Sequence, residues 1–138
     1  MVNLLYFEDL NVGDQLKFDT RISGEQVERY LDSVGDGYRR HIENAVEKYG
    51  NLVPPHLIPG ILANTTIGVR AYPTLALIEL SYRFFGPVHI GDELQIIDEV
   101  ISKREISRKI GKVKLNRKAT CDNSLVLEAR IEHRLLRR

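Results

Sequence analysis

The stretch Pro59-Gly-Ile-Leu-Ala-Asn-Thr-Thr-Ile-Gly-Val69 is apolar on most sides and rich in small residues. Proline immediately before the glycine at its head is typical of a helix start. A helix that is apolar around most of its circumference is buried rather than lying on a surface. The pattern therefore predicts a buried helix that begins at Gly60 and ends near Arg70–Pro73.

The chain that follows this helix has the pattern of consecutive strands. Apolar or alternating residues over four segments indicate strands that pack one face on a core. The segments are Leu75–Phe85, Glu93–Lys103, Lys112–Cys121 and Ser124–Leu135. Turn residues at Gly91-Asp92 and Asp122-Asn123 separate neighbouring segments, as in an antiparallel sheet.

The chain before the buried helix begins with a turn-rich lead-in and then predicts one strand and two helices. Ser23 and Gln26 have the spacing of a capping box, which starts a helix over Gly24–Ser33. The remaining expectations are a strand over Gln15–Ile22, a loop over Asp36–Arg40 and a helix from His41 to Tyr49 that ends at Gly50.

This order predicts an α+β fold, because a run of strands after helices favours an antiparallel sheet packed on those helices. We expect a single domain over residues 1–138, with a curved sheet wrapped around one long central helix. Strands this long, with few residues to cover both of their faces, also predict a homodimer or a higher homo-oligomer.

The composition excludes several function classes. The 138 residues carry a formal net charge of +1, which provides no general attraction to nucleic acid or to a membrane surface. The N-terminus lacks the pattern of a signal peptide, and no segment has the length of a membrane span. Cys121 is the single cysteine, so no intrachain disulfide forms. These features predict a cytoplasmic protein.

Asp36 and His41 are the candidates for acid–base chemistry. They lie five residues apart across the predicted loop, where both side chains can turn toward one cavity. A carboxylate and an imidazole placed there can share a water molecule, one accepting its proton while the other returns a proton. The alternative is structural: Asp36 caps the second helix, and His41 is a partly exposed residue of its first turn.

Gly60 is the candidate for binding a developing negative charge. The first turn of a helix has unpaired N–H groups and a partial positive charge, and a glycine lets a ligand oxygen approach them closely. This arrangement is that of an oxyanion hole. Alternatively, Gly60 only permits a tight turn after Pro59. The histidines and the cysteine have no metal-ligand spacing, so we expect no metal.

The order of these motifs resembles the MaoC-like (R)-specific enoyl-CoA hydratase/dehydratase family, which has the hotdog fold. The similarity runs from Phe7 to Leu135. It is carried by four segments: Phe7-Glu-Asp-Leu-Asn-Val-Gly-Asp14, Gly35-Asp-Gly-Tyr-Arg-Arg-His41, Pro59-Gly-Ile-Leu62 and Tyr82-Arg-Phe-Phe-Gly-Pro-Val-His-Ile-Gly-Asp92.

The resemblance implies reversible addition of water to a 2-enoyl thioester, which gives an (R)-3-hydroxyacyl product. It implies that Asp36 and His41 activate the water and that the Gly60 N–H polarises the thioester carbonyl. The substrate is expected on coenzyme A or on the phosphopantetheine of an acyl carrier protein, with no other cofactor. The residues expected to contact it are Tyr38, Arg39, His56 and Pro59.

The chain departs from the family at three places in the loop. Val34, Tyr38 and Arg39 stand where the family has serine, asparagine and proline. The bulk of Tyr38 and Arg39 is expected to narrow the cavity or to favour an unusual, polar acyl group. Two other functions stay open, an acyl thioesterase and a non-catalytic domain that binds acyl thioesters, because one fold hosts several activities.

Overall fold

A computed structural model describes residues 3–71 and 74–138, and describes side chains over residues 5–63 and 76–138. The strands are β1 (Asn3–Leu4), β2 (Gln15–Arg21), β3 (Arg70–Ala71), β4 (Thr74–Phe84), β5 (Glu93–Glu105), β6 (Ile110–Cys121) and β7 (Ser124–Leu136). The α-helices are α1 (Gly24–Val34), α2 (Asp36–Tyr49) and α3 (Ile58–Val69), and short 3₁₀ helices cover Phe7–Asp9 and Pro55–Leu57.

Five strands form one antiparallel sheet in the order β2-β5-β6-β7-β4. β6 and β7 are joined by a tight hairpin, because Asp122 and Asn123 adopt the positive φ angles of 50° and 66° that such a turn requires. The α+β architecture and the consecutive strands are as predicted. The short parallel pair of β1 and β3 has no signal in the sequence.

The capping box of α1 is confirmed, since the Gln26 N–H donates to Ser23 Oγ and the Ser23 N–H donates to Gln26 Oε1. The predicted loop over Asp36–Arg40 is wrong, because α2 begins at Asp36 rather than at His41. The physical reason is Gly35. With a φ of 111°, Gly35 turns the backbone between α1 and α2 within a single residue, so α2 begins at the next residue.

The apolar helix begins at Ile58, two residues before Gly60, and continues directly from the 3₁₀ turn Pro55–Leu57. Pro59 is the second residue of α3, where a missing N–H costs no hydrogen bond within the helix. Ile58 and Leu62 are buried, whereas Gly60 is exposed. α3 has 12 residues and α2 has 14, so the expected long central helix is not shown.

The helices pack on one face of the sheet. Side chains from α1, α2 and α3 form a core with Leu94 and Ile96 of β5 and with Leu127 of β7. A second cluster lies where Phe7 and Leu10 of the lead-in pack on the sheet. Its members from the strands are Val100, Val113, Leu115, Ile131 and Leu135. The beginning of α3 lies beside the edge strand β4, and the candidate site lies between them.

Candidate active site

Asp36 and His41 lie on the same continuous helix rather than on either side of a loop. Five residues of α-helix separate two side chains by about 7.5 Å along the axis and by about 140° around it. Both residues are exposed. A single chain therefore does not enclose the two groups together, and their shared role stays a prediction.

Tyr38 joins the two candidate histidines. Its hydroxyl lies 3.1 Å from Nδ1 of His56, and the two rings meet edge-on with centroids 5.6 Å apart. The His41 ring lies 6.3 Å from the Tyr38 ring, and Tyr30 packs edge-on against Tyr38 at 6.0 Å. Burial raises the pKa of the Tyr38 hydroxyl, which keeps it protonated. The structure thus brings together Tyr38, His41 and His56.

Arg39 lies on the side of α2 that faces α1. Its guanidinium donates to the carboxylates of Glu28 and Asp32, and the hydrogen bond to Glu28 is the main cause that raises the pKa of Arg39. Two carboxylates already surround this charge. The arrangement connects α1 to α2 and directs the guanidinium toward protein groups.

A groove of about 520 Å³ runs between the start of α3 and the edge strand β4. It is lined by Pro55, His56, Pro59, Leu80, Tyr82 and Phe84. A volume of this size is within the range of small-molecule sites. The groove places the predicted residues His56 and Pro59 together. Its three residues from β4, Leu80, Tyr82 and Phe84, were not predicted, although they alternate with the polar residues Ser81 and Arg83 and so share one apolar face of the strand.

Gly60 lies next to Pro59 in the first turn of α3, where backbone N–H groups have no acceptor within the helix itself. It is exposed, and a Cβ built on it would meet no atom within 4 Å. The space on the Cβ side of Gly60 is therefore open. The role of Gly60 as an oxyanion donor stays a prediction.

A buried ion pair supports the wall of the groove. Arg117 donates from Nε to Oδ1 of Asp98 and from an Nη to Oδ2, both at 2.7 Å. Its other Nη donates to the Tyr82 hydroxyl at 3.1 Å. Burial opposes the charge of Arg117, but the hydrogen bonds to Asp98 raise its pKa. The network holds the Tyr82 ring at the wall of the groove. The sequence gives a weak indication of this ion pair, because Asp98 falls at a position of β5 where the alternation predicts a buried side chain.

The remaining polar candidates do not extend this site. His89 contacts the Tyr49 carbonyl oxygen through Nε2 at 3.1 Å, which joins the end of α2 to the turn before β5. Burial raises the pKa of the half-buried Cys121 thiol, which disfavours the thiolate. Within residues 3–71 and 74–138, no group of three metal-ligating side chains comes together and no helix is long and apolar enough to cross a membrane.

No protein-family model matches the sequence, and no curated protein matches it. Solved structures do match the whole chain. The (R)-hydratase PhaJ1 from Pseudomonas aeruginosa superposes with a TM-score of 0.78 at 18% identity, over 99% of this chain and 92% of that chain. A MaoC-like dehydratase from Rhodospirillum rubrum superposes with a TM-score of 0.76 at 16% identity, over 97% of this chain and 98% of that chain.

A third similar structure has a double hotdog fold. A conserved hypothetical protein from Mycobacterium tuberculosis with a double hotdog fold superposes with a TM-score of 0.78 at 21% identity, over 97% of this chain and 44% of that chain. The chain has the hotdog fold. The fold expected from the motifs is thus confirmed, and this chain accounts for less than half of the double hotdog. At these identities the likeness concerns the hotdog fold, so the roles of the site residues rest on geometry.

Proposed function

We propose that this protein is a hydro-lyase that adds water to, or removes it from, an acyl thioester, interconverting a 2-enoyl and an (R)-3-hydroxyacyl group. The observation that carries the proposal is the groove itself. His56 and the first turn of α3 border it directly, and His41 adjoins it through Tyr38. Two imidazoles and a helix N-terminus beside one apolar groove suit acid–base chemistry on a carbonyl substrate. The names of the similar structures support the same reaction class.

In the proposed reaction, His41 and Asp36 act on a water molecule. One removes a proton as the hydroxyl adds to the β-carbon, and the other delivers a proton to the α-carbon. The N–H of Gly60 donates to the thioester oxygen, where negative charge develops. Dehydration is the reverse sequence. All of these groups belong to the protein, so the proposal includes no metal or redox cofactor.

The substrate class is an acyl chain carried on coenzyme A or on an acyl carrier protein. We also propose a homodimer or higher homo-oligomer in the cytoplasm. The exposed apolar side chains of the edge strand β4 support the assembly, since Leu77, Ile78 and Leu80 are 52%, 51% and 45% exposed. A second copy beside β4 would cover them and would narrow the groove.

The test follows loss of the conjugated double bond of short enoyl-CoA substrates. We expect hydration by the wild-type protein and a loss of about 10²–10⁴-fold in kcat for His41→Ala and Asp36→Asn, since general acid–base groups contribute that much. Glu43→Gln is the matched control, because Glu43 is exposed on the same helix and has no proposed role. Absence of hydration at every chain length, or full activity of both variants, would refute the assignment.

A non-catalytic domain that binds acyl thioesters is the second candidate. It is favoured by the continuous α2, which separates Asp36 from His41 around the helix axis. Calorimetry with acyl-CoA distinguishes the two functions. Tight binding without turnover supports the binding domain, and turnover that depends on His41 supports the hydro-lyase.

A further inference from the structure

The groove is apolar along most of its lining. Pro55, Pro59, Leu80 and Phe84 contribute aliphatic or aromatic surface. Tyr82 contributes its ring, and its hydroxyl accepts a hydrogen bond from Arg117 of the buried ion pair. Among the lining residues that the structure describes, His56 is the exposed one whose side chain has polar atoms.

The orientation of the His56 ring is set by Tyr38. The Tyr38 hydroxyl lies 3.1 Å from Nδ1, and the perpendicular rings, at an interplanar angle of 84°, restrict rotation. Tyr30 supports the other side of Tyr38. The Tyr38 hydroxyl remains protonated, and a phenol O–H is a stronger donor than an imidazole N–H, so we assign the hydroxyl as the donor and Nδ1 as the acceptor. In neutral His56 the proton then resides on Nε2, at the opposite side of the ring.

His56 lines a mostly apolar groove, where a hydrogen-bond donor at Nε2 would select among ligands. An acyl group with an oxygen at the matching position gains a hydrogen bond, whereas a plain alkyl group leaves the donor without a partner. The selection is moderate because His56 is exposed to solvent in the single chain. Tyr38 and His56 therefore form a polar hydrogen-bonding group beside a mostly apolar groove.

We propose that the pair of Tyr38 and His56 determines substrate specificity, with the Nε2–H of His56 donating a hydrogen bond to a hydroxyl or carbonyl oxygen on the acyl chain of a thioester. The site thus favours oxygenated acyl groups over plain alkyl groups of the same length. This inference rests on the proposed function only in taking an acyl thioester as the ligand. Tyr38 acts as a positioning residue, and His56 makes the contact.

The test measures binding of saturated acyl-CoA thioesters of several lengths, each paired with its counterpart that carries a terminal hydroxyl group. Saturated chains without a β-hydroxyl can be neither hydrated nor dehydrated, so binding is separated from turnover. By calorimetry we expect the wild-type protein to bind the best hydroxylated thioester about tenfold more tightly than its partner. Tyr38→Phe and His56→Phe should each abolish this preference while keeping the affinity for the plain chain.

Tyr30→Phe is the control, since it retains the aromatic support but lies outside the hydrogen-bonded pair. Nitrogen NMR of His56 provides a second readout. The wild-type ring should carry its proton on Nε2, and Tyr38→Phe should produce a mixture of tautomers.

Equal affinities for every pair of thioesters in the wild-type protein, or an unchanged preference in Tyr38→Phe, would overturn the inference. Hydration of enoyl-CoA without any preference for hydroxylated thioesters would refute the role of Tyr38 and His56 in specificity and leave the proposed function intact. A preference for hydroxylated thioesters without any hydration would refute the hydro-lyase function and leave the role of Tyr38 and His56 in specificity intact. If no acyl-CoA binds, both are wrong.

Discussion

Asp98 and Arg117 are register partners on β5 and β6, and both are almost completely withdrawn from water, with exposures of 1% and 3%. Arg21 and Glu93 are also register partners, on β2 and β5, but their side chains remain 66% and 50% exposed. The two pairs have similar chemistry and similar placement across neighbouring strands. They differ in burial, so they separate the effect of desolvation from that of charge pairing.

Asp98→Ala is expected to lower the free energy of unfolding by about 3–5 kcal/mol, because it leaves the buried charge of Arg117 without its partner. Glu93→Ala, which removes the exposed pair, should cost no more than about 1 kcal/mol. Urea unfolding of both variants measures the difference. Similar losses in the two variants would contradict the buried role of Asp98.

We expect His133 to make the free energy of unfolding depend on pH. Burial lowers the pKa of His133 below its ordinary value in the folded protein, so the unfolded chain binds the proton more readily. The contribution is complete above about pH 6.5 and is lost as the pH falls below that value. His133→Gln should flatten the decrease in the free energy of unfolding between about pH 7.5 and about pH 5.5. An unchanged slope would show that another group titrates, and His89→Gln is the control.

At the scale of elements, the lead-in before β2 is held on the sheet by a close contact. The Phe7 ring packs over Gly111 of β6, and a Cβ at Gly111 would overlap the ring atoms. Lys103 lies above the same ring at 4.2 Å and donates to the carbonyl oxygens of Phe7 and Leu10. The absence of a side chain at Gly111 therefore leaves the space in which the Phe7 ring of the 3₁₀ helix packs on the sheet.

Gly111→Ala is expected to destabilise the fold by about 1–3 kcal/mol, because the buried ring must move. Gly37→Ala is the control with the opposite sign. Its Cβ would meet nothing within 4 Å, and alanine in a helix adds up to about 1 kcal/mol. Thermal or urea unfolding measures both. In a Phe7→Leu background the cost of Gly111→Ala should shrink, and an unchanged cost would contradict the steric explanation.

At the scale of the whole molecule, β4 is an edge strand with apolar side chains exposed. Such an edge invites pairing with another chain, and lysine on an edge opposes it. We expect a homodimer in solution and a shift toward monomer, with association weakened at least about tenfold, in Ile78→Lys. Ile106→Lys is the control, since Ile106 is 44% exposed in the turn between β5 and β6, away from β4.

Sedimentation equilibrium across a range of protein concentrations measures this association. A wild-type protein that remains monomeric at every concentration would contradict the predicted assembly. Equal effects of Ile78→Lys and Ile106→Lys would show that the contact is not at β4.

Much of the secondary structure follows from the sequence because its causes are local. Ser23 and Gln26 lie three residues apart and bond each other's N–H groups at the start of α1, and the alternation of β5 and β6 is visible in the sequence. One exception is the start of α2, where a single residue, Gly35, takes the place of the predicted loop. Glycine adopts positive and negative φ angles about equally readily, so the sequence did not predict which of them Gly35 would adopt.

The sequence by itself determined the α+β class, the order of helices and strands, and the hairpin at Asp122 and Asn123, all of which depend on residues close together in the chain. It also indicated His56 and Pro59 as neighbours of the site. Only the tertiary structure decided that β4 lies beside β7, that Tyr38 orients His56, and that Arg117 supports Tyr82. The two side-chain contacts join residues 18 and 35 positions apart, and the partners on β4 and β7 lie farther apart still, so all of them exist only after the strands and helices have packed.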